Sequence, residues 1–163
     1  MQRVSVKRRN DDFMSLGLLY KNIKSTLSFM KKSITQEAPY GCGIACFAFV
    51  ANITYRQAAD FLGPDQAKSD RFIVKRFREE LNRYGLNYIS KHIKPDQPIE
   101  PKEGMIVLLR RSRQFPVGHY LAYHEGKWMD PYSNLADDWN FQNPQSGFRD
   151  VLPGQMMYAL MPE

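Results

Sequence analysis

Cys42 stands between Gly41 and Gly43, just ahead of the apolar run Phe47-Ala48-Phe49-Val50-Ala51. That order reads as a tight turn delivering a thiol to the first turn of a buried helix. The free N–H groups at a helix start and the positive end of its dipole favour a thiolate, the nucleophilic form of cysteine. Gly41 permits a turn that residues carrying a Cβ resist, and Gly43 leaves room for a substrate backbone beside the sulfur. Gln36 lies six residues before Cys42, where its amide N–H₂ can serve as an oxyanion donor. The chemistry that suits this set is attack of a thiolate on a carbonyl. Cys46, on the same helix, reads as an inert buried hydrophobe.

A cysteine nucleophile needs a base to take its proton and a third group to orient that base. The chain offers three histidines. His92 sits before a proline-rich stretch without an obvious acidic neighbour and reads as a surface residue. His124 falls in an expected hairpin turn, where exposure follows. His119 begins an expected strand just after Gly118, and from there its ring can face a helix N-terminus across a cleft. A hairpin turned at His124-Glu125-Gly126 returns Asp130 to the level of His119. Pro131 ends the partner strand and fixes the backbone after the carboxylate.

Gln36-x5-Cys42-Gly43-x-Ala45-Cys46, Gly118-His119-Tyr120 and Asp130-Pro131 together resemble the peptidase domains that remove double-glycine leaders from bacteriocin precursors. Those are papain-like cysteine peptidases, usually fused to ABC transporters. The resemblance covers about residues 34–161. It implies a papain-like fold with Cys42 as nucleophile, His119 as base, Asp130 as orienting acid and Gln36 as oxyanion donor. The spacing from Gln36 to Cys42 matches the family and is the most specific part. The family favours an acidic residue directly before the cysteine, where this chain has Gly41, and the interval from His119 to Asp130 is short. No transporter accompanies the domain, and residues 1–33 lie outside the resemblance.

The elements that must position these residues follow in order. Residues 1–10 read as a loosely attached arm. From Asp11, apolar residues Phe13, Leu16, Leu19, Ile23, Leu27 and Met30 recur at helical spacing. That amphipathic helix either packs on its own domain or docks on a partner or an anionic surface. The Cys42 helix is expected over 43–52 and is apolar nearly all round. Thr54 caps a second helix over 55–62, stopped by Gly63-Pro64. A third starts at Ser69 or Asp70, carries Phe72, Ile73, Phe77, Leu81 and Tyr84 on one side, and ends at Gly85. Strands are expected over 86–93, 105–109, 118–123, 127–130 and 155–161, with 94–103 and 132–150 as loops. Helices first and an antiparallel meander after them make the class α+β.

The chain of 163 residues, 43% hydrophobic and 13% aromatic, suits one folded domain (34–163) behind a basic extension (1–33). Residues 1–33 hold eight Lys and Arg against Asp11 and Asp12, which accounts for the whole net charge of +6. The basic balance therefore says little about what the main domain binds. It allows non-specific phosphate contact by the arm, without a recognised nucleic-acid motif. Two cysteines at i,i+4 read as reduced thiols. No apolar run reaches the ~20 residues of a membrane span, and the N-terminus is no signal peptide. Metal-ligand spacings and phosphate-cradling loops are missing, and no cofactor is expected.

The resulting expectation is a cytoplasmic cysteine peptidase acting on a peptide or protein, with a partner protein, a transporter or an immunity protein as docking partners. A variant of it is an effector or toxin module delivered into a target cell. The same residues serve a protein glutamine deamidase or a transglutaminase-type enzyme, in which case the acceptor decides. A catalytically idle domain that binds a leader peptide or a partner is the alternative outside enzymology.

Overall fold

A run of residues with no polar side chain, Gly43 to Phe49, is buried on every side and forms the centre of helix α1 (Cys42–Ala51). The structure, a computed structural model, describes residues 31–63, 65–66, 73–137 and 139–163. The arm and the amphipathic helix expected before residue 31 lie outside them. Asn52 ends α1 in the left-handed conformation that closes helix C-termini. Thr54 then opens α2 (Tyr55–Leu62) with a reciprocal cap: its hydroxyl accepts from the Gln57 N–H, and the Gln57 side chain accepts from the Thr54 N–H. Helix α3 (Val74–Arg83) buries Val74, Phe77 and Leu81. Its start differs from the expected one. Ile73 is extended and flanks the helix rather than belonging to it, and Ser69 and Asp70 are outside the described residues.

Six strands follow: β1 (Tyr88–His92), β2 (Ile106–Leu109), β3 (His119–His124), β4 (Lys127–Asp130), β5 (Gly147–Arg149) and β6 (Met156–Pro162). They form one antiparallel sheet in the order β1-β6-β2-β3-β4-β5. The architecture is α+β, with three helices and six strands among the described residues. Strands β2 to β4 run as the expected meander, which β5 extends. Strand β6 does not extend it but returns between β1 and β2. Its apolar residues explain the place: Ala159 and Leu160 are almost fully buried, and a central strand is buried on both faces. Strand β5 lies in the stretch expected to be loop.

Residues alternate between the two faces of the sheet. Ile106, Tyr120, Met129 and Leu160 meet Ile44, Phe47, Phe77 and Leu81 of the helices. Val107, Leu121, Trp128 and Ala159 face the other way, onto Phe115, Tyr132 and Leu135 from the loops. Helix α1 packs along β3, and α3 packs on β1. The first turn of α1 thereby comes to the end of the sheet where β3 begins.

The turn before α1 is closed by the Gly41 N–H on the Ala38 carbonyl, 2.9 Å. Gly41 has an ordinary negative φ, so its role is spatial. A Cβ here overlaps the Tyr55 hydroxyl and lies 3.1 Å from the Ala38 carbonyl oxygen. Gly41→Ala is expected to cost roughly 1–3 kcal/mol, the usual cost of overpacking. Adding Tyr55→Phe removes the worst overlap and should restore part of the loss. Urea midpoints of the single and double variants measure both effects; an undiminished midpoint for Gly41→Ala would sink this account of the turn.

Candidate active site

The thiol of Cys42 opens α1, and no side chain caps that helix. The N–H groups of a first turn have no acceptor within the helix, which leaves those of Cys42 and Gly43 available to a ligand. Both residues line a cavity of about 420 Å³ together with Gln36 and His119. Cys42 is partly exposed there, while Cys46 is fully buried one turn on. Burial pushes the Cys46 thiol well up, and the neighbouring Cys42 and Asp130 add to it. Cys46 is thus a buried thiol whose thiolate form is disfavoured.

His119 is set by two local features. Gly118 has φ +86 and carries no Cβ where one would meet the Leu109 carbonyl oxygen at 2.8 Å. That bend starts β3. The β3–β4 hairpin pairs Ala122 with Met129 and His124 with Lys127, closed by Glu125 and Gly126 at positive φ. One further step of this register sets Asp130 across from Leu121, hence diagonal to His119 on one face. The His119 Nε2 and Asp130 Oδ1 atoms lie 2.8 Å apart. His119 lines the same cavity as Cys42, and with Nε2 turned to Asp130 its Nδ1 is the nitrogen left for the thiol. The structure therefore places Cys42 and His119 on one cavity and binds His119 to Asp130.

Both members of the His119–Asp130 pair are buried, at 2% and 0% exposure. Burial of the ring opposes its charged form, but the bonds to Asp130 and Cys42 and the charges of both outweigh it. The result raises His119 from 6.5 to about 9, so the ring is protonated at neutral pH. Burial likewise opposes the charged form of Asp130, and the bond and charge of His119, the Tyr132 N–H and Arg149 overcome it and hold the carboxyl low.

Three partners of the histidine and aspartate had no signal in the sequence strong enough to single them out. Arg149 of β5 donates Nε to Asp130 Oδ2 and Nη2 to the Ser133 carbonyl. The Tyr132 N–H donates to Asp130 Oδ1 at 2.9 Å. Phe115 stacks flat on the His119 ring, with centroids 4.5 Å and planes 3° apart. At 1% exposure it keeps water from the imidazole, and a drier surround strengthens the bond to Asp130.

Gln36 is buried against the cavity. Its own N–H donates to the Pro131 carbonyl at 3.2 Å, tying the segment before Cys42 to the residue after Asp130. Its Nε2 donates to the carbonyls of Ala38 and Pro39 at 3.1 and 3.3 Å, and its Oε1 has no partner. As it stands the amide braces the turn that carries Cys42. Service as an oxyanion donor requires one of those N–H bonds to swing toward the substrate.

The other histidines lie outside this group. His92 is exposed and meets Tyr158 edge-on. His124 is not the exposed turn residue expected: it is partly buried, pairs through Nδ1 with Glu103 and meets Phe49 edge-on. Gly104 allows the chain to bring Glu103 back beside the hairpin tip, which the sequence spacing did not disclose.

No family model, curated protein or solved structure matches this chain. The site must be read from its own atoms. Among the described residues no group of three or more His, Cys, Asp or Glu side chains could hold a metal ion. No helix among them is long and apolar enough to cross a membrane.

Proposed function

We propose that the chain is a cysteine-dependent acyl-transfer enzyme of papain-like type, and that its principal reaction is cleavage of a peptide or protein. One observation carries the reading: a partly exposed thiol at an uncapped helix start shares a cavity with a buried histidine bound to a buried aspartate. A structural cysteine has no need of that company, and a binding groove has no need of the buried pair.

In the mechanism Cys42 acts as the thiolate beside a protonated His119, and its sulfur attacks the carbonyl carbon. The Cys42 N–H, joined by Gln36 if its amide turns, receives the negative oxygen. His119 then gives its proton to the leaving amine, which departs as the acyl-enzyme forms. Water, losing its proton to His119, attacks the thioester and frees the acid and the thiol. Asp130 holds the ring throughout. The acidic residue that the resembled peptidases carry before their cysteine has no space here, because the Tyr55 hydroxyl occupies it.

The test is mass spectrometry of a cell lysate incubated with the wild type and with Cys42→Ala. A new peptide terminus made only by the wild type supports peptidase action. A gain of about one dalton on glutamine marks deamidation, and a crosslink marks amide transfer, two outcomes of the same thioester chemistry. No Cys42-dependent product of any kind sinks the enzymatic reading.

A further inference from the structure

The cavity at Cys42 is longer than the triad needs. It continues across the helix-facing side of the sheet, over Tyr120, Leu108 and Tyr158, to Ser90 of β1. Ile73, just before helix α3, and Lys75 within it line the cavity, as do Arg111 and Val117. Ile73 is 58% exposed, a large apolar side chain left at the rim. Tyr40 and Trp139, stacked with planes 13° apart, close the end near Cys42.

The charges along this groove have one sign. Lys75 and Arg111 are exposed, and among the described residues neither takes part in an ion pair. The described residues lining the cavity include no Asp or Glu. Elsewhere some surface cations are matched, Arg76 and Arg83 by Glu80 and Lys127 by Asp150, whereas Arg56, Lys91, Lys94 and Lys102 are exposed without a described ion pair and lie outside the cavity lining. What distinguishes Lys75 and Arg111 is their place in the lining of the apolar cleft, where low-dielectric walls strengthen the field that a ligand meets.

We propose that this groove binds an extended acidic peptide segment, with apolar side chains on the sheet floor and carboxylates at Lys75 and Arg111. The proposal rests on the reading of the cavity as the substrate cleft and gives that substrate a chemical class. A nucleic acid fits less well, because two cations beside an aliphatic floor of Leu108, Val117 and Met157 do not make a track for successive phosphates.

The test uses the full chain with Cys42→Ala, so that bound peptide survives, against synthetic peptide libraries of equal apolar content. One library carries Asp and Glu and the other Lys and Arg. The acidic library should bind, and Lys75→Glu with Arg111→Glu should weaken it about tenfold or more and shift preference to the basic library. Lys102→Glu, which lies outside the cavity, should leave binding unchanged. Salt should weaken the acidic peptides. Binding indifferent to peptide charge, or displacement of the peptides by a single-stranded DNA oligonucleotide that binds more tightly, overturns the proposal. The two readings separate cleanly. Turnover by the wild type without regard to charge keeps the enzyme and removes the acidic preference. Charge-dependent binding with no turnover of any bound peptide keeps the preference and removes the enzyme.

Discussion

Cys42→Ala should abolish the proposed turnover and leave the fold intact. Loss of a covalent nucleophile that works as a unit with its base costs roughly 10⁴–10⁶ in kcat. The exchange removes a partly exposed sulfur from a cavity wall, not a filled core position, so the urea midpoint should move little. A second readout is independent of substrate. An electrophilic thiol reagent should mark Cys42 in the native protein while Cys46 stays unmodified. The bond and charge of Cys42 also help to raise His119, so the ring should titrate lower in the variant, measured by NMR of the imidazole. Equal labelling of both cysteines, or equal activity of the two proteins, would end the case for a nucleophile.

Asp130→Ala has the largest expected effect on stability. The carboxylate is fully buried and accepts from His119, Arg149 and the Tyr132 N–H. Its removal strands two cationic groups and a backbone donor, and breaking a buried pair in this way costs about 3–5 kcal/mol. Asp130→Asn keeps the shape and part of the bonding. Its fold should hold better while kcat falls by roughly 10⁴, the size of loss expected when an orienting acid becomes an amide. Chemical denaturation and steady-state rates separate the two variants.

The same pair sets a pH window. His119 is raised in the folded state, so its contribution is complete below 6.5 and is lost as pH rises through about 9. Asp130 is lowered, so its contribution is present above its ordinary value of 3.8 and is lost as pH falls through the folded one. Both act together between those limits. Asp130→Ala should flatten the dependence on each side, measured by thermal melts across pH.

Much of this was legible without coordinates because it is local. The apolar run after Gly43 forms a buried helix wherever it lies. The Thr54 and Gln57 cap depends on residues three apart. The register that brings Asp130 toward His119 follows from a short turn at Glu125-Gly126. What escaped was non-local. Arg149 sits on a three-residue strand whose neighbours are Ser146 and Asp150, and nothing but pairing with β4 makes it a strand. Phe115 reads as one aromatic among many until its ring is found flat on the imidazole. The insertion of β6 between β1 and β2 is decided by which strand has two buried faces, a property of the finished sheet. The start of α3 moved because Ile73, apolar and at the right spacing, lies at the cavity rim instead of in the core.

One consequence follows from the position of Arg149. The orienting carboxylate is steadied from the shortest strand, half-buried and at the outermost place in the sheet. Peripheral pairings of this kind open before the core does. Warming should therefore free the carboxylate ahead of melting the fold: loss of the proposed activity and cooperative unfolding should become two events, and the first should reverse on cooling because the remainder of the molecule has never let go.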